Sequence, residues 1–290
     1  MIAITGATGQ LGRLVLQNLL TRVPAQEIVA AVRNPKRAQD LAALGVQVRE
    51  ADYDRPETLA AAFQGVQKVL LISSSEVGKR APQHKAVIDA ARAAGVALLA
   101  YTSLLHADQS PLGLAAEHLE TEAYLQASGI PHVLLRNGWY TENYAASIAP
   151  ALQHGAFIGS AGEGRIASAA RSDYAEAAAA ALTLPGQAGK VYELAGDDAY
   201  TLAQFAAELS RQAGKSVPYQ DLPEAQYRAI LVQAGLPEAI ANLLADSDAG
   251  AAKGGLFDGE RQLSALTGHA STPLAVTIRT TLEHLAVKTS

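Results

Sequence analysis

Three glycines, Gly6, Gly9 and Gly12, stand three residues apart in the segment IAITGATGQLG at positions 2–12. An apolar β-type run precedes them and a helical pattern starts among them. A strand that ends in such a turn and opens a helix presents unpaired backbone N–H groups and a partial positive charge. Glycine lets the chain turn tightly, approach an anion and pack helix against strand. That chemistry suits the pyrophosphate of a dinucleotide. The second apolar run, IVAAV at 28–32, leads into Arg33-Asn34-Pro35-Lys36-Arg37. In folds that take NAD this strand usually ends in an acid that accepts from the ribose hydroxyls; here an arginine stands in its place. A guanidinium grips a 2′-phosphate in two-pronged fashion and stacks on adenine, which points to NADPH with Arg33 as its reader. Lys36 and Arg37 are either helpers or solvated charges. Asp52 is either a partner for the adenine amine or a turn residue.

The elements that must position these groups alternate. Apolar runs at 2–5, 28–32, 46–50, 69–73, 97–102 and 132–136 read as strands. Helical patterns fill 10–22, 35–44, 56–64, 80–94 and 115–128. Several runs are apolar at every position, as in a parallel sheet covered on both faces. Gly45, Gly65, Gly95 and Gly129 fall where helices should end. The pattern predicts an α/β fold, a Rossmann-type doubly wound parallel sheet. Beyond about residue 140 helices dominate: 143–154, an Ala-rich stretch at 171–184, then 201–213, 224–234, 237–245, 259–267 and 273–286. Residues 156–159 are a short apolar run, and a strand at 190–194 reads as the last of the sheet. Thr201 is an expected helix cap, with Leu202, Phe205, Ala206 and Leu209 as an apolar stripe behind it. The expected division is a dinucleotide-binding domain at 1–136, with 171–195 returning to it. A smaller, mostly helical lobe at 137–170 and 196–290 would shape the substrate pocket.

Composition narrows the partners. The chain has 290 residues, 49% hydrophobic and 18% charged, enough for a sizeable core. A net charge of −5 with no basic run argues against nucleic acid as a partner. No uninterrupted apolar run is long enough for a membrane span. The absence of cysteine removes disulfides and thiolate chemistry and suits a reducing compartment. With a strand predicted from Ile2, no leader peptide is expected, and the expected location is cytoplasmic. No metal is expected: the histidines are scattered and no His-x-x-x-His appears. There is no Gly-x-Ser-x-Gly elbow for hydrolysis.

Taken together, TGATGQLG (5–12), VRNP (32–35), ADY (51–53), LLISSSEVGKRAPQH (70–84), AYTSLLHAD (100–108), LLRNGWYTENY (134–144), RSDYA (171–175) and ADSDAGAAKGGLFD (245–258) resemble the NmrA-like atypical short-chain dehydrogenases. The likeness spans nearly the whole chain and is closest to members that reduce quinones, with reducers of triphenylmethane dyes near by. It implies NADPH-dependent reduction of a small quinone by direct hydride transfer without flavin. By the same resemblance, Gly6, Ala7, Thr8, Gly9, Gln10 and Leu11 hold the pyrophosphate. Ile72, Ser73 and Ser74 run beside the adenosine and ribose. Asn137, Gly138, Trp139, Tyr140, Thr141 and Glu142 flank the nicotinamide, and Tyr174 closes the pocket. Other members of the family are redox sensors that bind the cofactor and a protein partner without turnover, and the sequence leaves that alternative open, as it does self-association.

One departure bears on mechanism. Most short-chain dehydrogenases carry Tyr-x-x-x-Lys on the helix after the fifth strand, where a tyrosine moves the proton. Here that helix reads LAAEHLETEAYL, with His118 and Glu122 four apart and no such pair. A quinone oxygen becomes a weakly basic phenolate, so positioning in a dry pocket could suffice. No catalytic set is defined; the candidate proton donors are His84, Tyr101 and His118, with His106 and Ser103 beside them, and each histidine is either such a donor or an ordinary surface or hydrogen-bonded residue. Trp139, Tyr140 and Tyr144 are candidates for an aromatic wall or for ordinary packing.

Overall fold

The computed structural model describes residues 1–76 and 78–289. The strands are β1 (Ile2–Thr5), β2 (Ile28–Val32), β3 (Gln47–Glu50), β4 (Lys68–Leu71), β5 (Leu98–Leu104), β6 (His132–Asn137), β7 (Phe157–Gly159), β8 (Val191–Leu194) and β9 (Tyr219–Asp221). Seven of them form one sheet in the order β3-β2-β1-β4-β5-β6-β8. The order reverses between β1 and β4, the switch point of a Rossmann-type sheet. Pairing is parallel from β3 through β6. The β6–β8 bonds keep the same sense, Leu134 N–H to Lys190 O and Gly138 N–H to Leu194 O.

Both faces of this sheet are buried, which is why the strands lack polar alternation. Ala3, Val69, Leu71, Leu99, Tyr101 and Leu134 share one core with Leu59, Phe63, Val87, Ile88 and Leu125. Those partners come from α3 (Pro56–Ala62) and the residue after it, α4 (Arg80–Ala93) and α5 (Ala115–Ser128). The alternate positions Ile4, Leu70 and Ala100 are buried too, on the side where α1 (Gln10–Leu20) and α8 (Arg171–Thr183) pack. The alanines of α8 from Ala177 to Ala181 are almost wholly buried, so the Ala-rich stretch is a helix packed tightly on all sides.

The chain forms two compact units. The first is 1–107, 116–137 and 171–193; the second is 108–115, 138–170 and 194–290. In the second, α6 (Thr141–Ala145), α7 (Ile148–His154) and α9 (Leu202–Ala213) pack against α13 (Leu274–Thr289). Phe205 of α9 is the centre of an aromatic cluster with Tyr144, Phe157 and Tyr200. Thr201 caps α9 in a reciprocal capping box with Gln204.

Several elements differ from the sequence-based expectation. The helix expected at 143–154 is two helices. Pro150 lies in the first turn of α7, where it has no N–H to bond back to residue 146, so the helix breaks and restarts there. The helix expected at 237–245 continues as α11 (Glu238–Ala252) through the DSDAGAA segment. Gly250 is tolerated inside it because a Cβ there would stand 2.8 Å from Leu112 Cδ1. The short β9, paired in parallel with β7, was not expected. Its three residues carry no alternation. Among the described residues no helix is long and apolar enough to cross a membrane.

Candidate active site

The carboxyl ends of β1, β2 and β4 open onto a cavity of about 430 Å³. Its floor is the glycine turn. Gly6 adopts φ +60°, a left-handed conformation natural to glycine. Its carbonyl accepts from Gly9 N–H at 2.9 Å, and Gly9 then begins α1 by accepting from Arg13 N–H at 3.0 Å. No side chain caps this helix start, so its first N–H groups face the cavity without a protein acceptor. A Cβ on Gly12 would lie 2.4 Å from Gly6 O and 2.8 Å from Ala7 Cα. The turn therefore closes only around glycine.

Arg33 stands at the end of β2 with its side chain 72% exposed and Nη1 3.3 Å from Glu76 Oε1. It lines the cavity, as do Thr8, Gly9, Gln10 and Leu11 of the turn and Ile72, Ser73 and Ser74 after β4. Lys36 and Arg37 do not line it. Asp52 is a turn residue, since its Oδ1 accepts from Asp54 N–H at 3.1 Å, and it also lines the cavity together with Tyr53 and Asp54. Several polar wall residues were not anticipated from sequence, among them Tyr53, Asp54, Glu76 and Gln83. Gln83 is buried and its Oε1 has no hydrogen-bond partner. Nothing in its sequence context separates it from a surface residue of α4.

A turn that leaves room for phosphate, an uncapped helix start and an arginine beyond β2 fit a dinucleotide that carries a 2′-phosphate. The remaining predicted contacts lie outside this cavity wall. Ala7 is fully buried beneath the turn, and Tyr174 is buried in α8. Asn137 ends β6 with its carbonyl accepting from Leu105 N–H at 3.0 Å, and its buried Oδ1 has no partner. Gly138 through Glu142 belong to the second unit. There, Thr141 Oγ1 and Ser168 Oγ lie 2.8 Å apart, and Ser168 meets Tyr200 OH at 2.5 Å. The rings of Trp139 and Tyr144 lie 6.2 Å apart, and both residues are buried.

The three predicted proton donors come together, but not in the cavity wall. His84, Tyr101 and His118 are 0%, 0% and 5% exposed. They form one cluster below the ends of β4 and β5. Tyr101 OH lies 2.8 Å from His118 Nδ1, and His84 meets the edge of the Tyr101 ring with centroids 5.4 Å apart. Burial, then the charge of Arg80, pushes His84 down to about 4 and His118 down to about 3. Burial also pushes the Tyr101 hydroxyl upward. Both imidazoles are neutral near pH 7 and the phenol stays protonated. Desolvation opposes the charged form of each group, so the cluster is held neutral. A second buried cluster follows. Ser103 Oγ donates to Glu122 at 2.5 Å, and Arg136 bridges Glu122 and Glu193 at 2.7 and 2.9 Å. Glu193 also accepts from His106 N–H at 2.7 Å, where His106 holds φ +47°. The helix α5 does contain a tyrosine, Tyr124, bonded to Asp89 at 3.0 Å. Four residues further on stands Ser128 rather than lysine.

The NmrA-like family model matches residues 1–283. The chain belongs to that family. It is 63% identical over 278 residues to quinone oxidoreductase 2 of Escherichia coli K12, covering 96% of this chain and 97% of that one. Among solved structures it is similar to the E. coli NADPH-dependent quinone oxidoreductase complexed with NADPH, with TM-score 0.95 and 62% identity over 99% of this chain and all of that one. It is also similar to the Citrobacter triphenylmethane reductase complexed with NADP(H), with TM-score 0.93 and 40% identity over 97% of this chain and all of that one. The fold and family expected from the sequence are thus borne out.

Proposed function

We propose that this chain is an NADPH-dependent quinone oxidoreductase that passes hydride directly to a small quinone without flavin, in a reducing compartment. The observation that carries the reading is the cavity itself: a glycine turn, an uncapped helix start and Arg33 on one wall. The similarity to the E. coli quinone oxidoreductase supports it. NADPH supplies a hydride when bound, and a quinone that takes this hydride and a proton becomes the hydroquinone. The chain's own residues bind and orient. The first N–H groups of α1 receive the pyrophosphate. Arg33 leaves Glu76 to hold the 2′-phosphate. Asp52 and Asp54 offer acceptors at the adenine end, and Gln83 Oε1 offers another to a donor on the dinucleotide. Asn137, Gly138, Trp139, Tyr140, Thr141, Glu142 and Tyr174 are the proposed surroundings of the nicotinamide and the quinone. The phenolate formed from a quinone is a weak base, so water can deliver its proton and no buried acid is required.

Purified, flavin-free protein mixed with NADPH and 1,4-benzoquinone tests the reading by the loss of NADPH absorbance. Quinone-dependent loss that is faster with NADPH than with NADH is the expected result. Turnover with triphenylmethane dyes and none with quinones would reassign the acceptor. Tight NADPH binding without turnover on either would make the protein a cofactor sensor.

A further inference from the structure

The segment 72–76 leaves β4 and lines the cavity with no ladder to hold its backbone. Side chains hold it instead. Ile72 N–H donates to Thr5 Oγ1 at 3.1 Å and Ser73 N–H to Thr102 Oγ1 at 2.9 Å. Ser74 N–H donates to His84 Nε2 at 2.9 Å, and the Ser74 carbonyl accepts from Arg80 Nε at 2.6 Å. Both polar groups of the Ser74 backbone are therefore pinned by side chains of α4. The Ser74 hydroxyl oxygen accepts from Glu76 N–H at 3.2 Å. Among the described residues no acceptor takes its proton.

The bond from Ser74 decides the state of His84. An N–H that points at Nε2 requires a lone pair there, so the ring hydrogen sits on Nδ1. Nδ1 lies 2.9 Å from Thr121 Oγ1, whose own hydrogen goes to the Glu117 carbonyl at 2.9 Å. Ser74, His84, Thr121 and Glu117 thus form a chain in which every donor has an acceptor. The ring is fully buried among Arg80, Tyr101 and Thr121, with His118 and Glu117 beyond. A second ring hydrogen would point at Ser74 N–H and put a charge beside Arg80.

We propose that His84 is a positioning residue for the dinucleotide: its neutral Nδ1–H form fixes the Ser74 peptide so that the Ser74 hydroxyl donates to an oxygen of the ribose–phosphate chain. The inference rests on the dinucleotide occupying this cavity. It assigns His84 to cofactor binding and removes it from proton transfer.

Two measurements test it. The ring-nitrogen shifts of ¹⁵N-histidine-labelled protein without ligand should show His84 as the Nδ1–H tautomer, unchanged between about pH 6 and 8. A ring with hydrogen on Nε2, or one that titrates in that range, overturns the proposal. The second measurement is NADPH binding by calorimetry for the parent, His84→Leu, His84→Gln, Ser74→Ala and the His84→Leu/Ser74→Ala pair, each checked for native circular dichroism. His84→Leu should weaken binding about tenfold, the size of one lost hydrogen bond, with kcat at saturating NADPH within about twofold. His84→Gln, whose amide oxygen can accept from Ser74 N–H, should return to within about threefold of the parent. Ser74→Ala should cost about as much as His84→Leu, and the double variant no more than either, because the two act as a unit. Unchanged affinity in His84→Leu, failure of Gln to rescue, or additive losses in the pair would overturn it. If the parent itself does not bind NADPH, the reading of the cavity fails and the role of His84 with it; if the parent binds and His84→Leu binds equally well, only the role of His84 falls.

Discussion

Arg33→Ala should separate the two nicotinamide cofactors, and the size of the effect follows from where the side chain stands. It is 72% exposed and paired at 3.3 Å with Glu76, itself 38% exposed. A charge-assisted hydrogen bond to a phosphate contributes about 1.5–3 kcal/mol. Leaving Glu76 costs about 0.2–1 kcal/mol, the range for exposed ion pairs. The net loss on removing the guanidinium is then about 0.5–2.8 kcal/mol, a rise in KM for NADPH of roughly 2- to 100-fold. NADH has no 2′-phosphate, so its KM should stay within about twofold of the parent's. Because the site is open to solvent, the gap should narrow in high salt. Glu76→Gln runs the other way: freed from its carboxylate partner, Arg33 should lower KM for NADPH by up to about fivefold. The assay is steady-state oxidation of each cofactor with 1,4-benzoquinone at two ionic strengths. Equal losses with NADPH and NADH would show that Arg33 supports the fold of the cavity rather than reading the phosphate. No loss with either would remove it from the site.

Two further variants probe packing and charge. Gly12→Ala puts a methyl 2.4 Å from Gly6 O and 2.8 Å from Ala7 Cα, and because these are backbone atoms the turn itself must move. The expected cost is about 3 kcal/mol in urea unfolding together with loss of NADPH binding, and retention of both would show that the turn has room it does not display. Asp248 accepts from Tyr144 OH and Ser160 N–H, both at 2.9 Å, and burial pushes its carboxyl from 3.8 up to about 6. A carboxyl raised in the folded state favours folding while protonated. Its contribution is complete below the unfolded value and is lost as pH rises through about 6. From about pH 4 to 7 the stability of Asp248→Asn relative to the parent should therefore improve by about 2–3 kcal/mol, and a difference that stays flat with pH would refute the raised value.

Much of the first unit was legible because its signals are local. Strands buried on both faces show as unbroken apolar runs, and the glycines that end helices stand where the left-handed backbone needs them. The cofactor turn was legible for the same reason: Gly6 needs a left-handed backbone, and Gly12 answers to Gly6 and Ala7, within six residues of itself. The second unit was harder to read. Gly250 looks like a loop residue until Leu112, far away in sequence, fills the space a side chain would take. The pairing of β9 with β7 joins segments some sixty residues apart that carry no alternation.

By itself the sequence determined the fold class, the family and the ligand class, since a glycine turn between strand and helix is a property of a dozen contiguous residues. It also determined that an arginine, not an acid, ends β2. Tertiary structure decided what the polar residues do. His84, Tyr101 and His118 lie on three different elements, and only their packing shows that water is excluded from all of them. A histidine in water titrates near neutral pH; the same ring, buried beside Arg80 with Ser74 and Thr121 on its two nitrogens, is held to its neutral form. Protonation state depends on solvent and neighbours, and neither is written in the order of the residues.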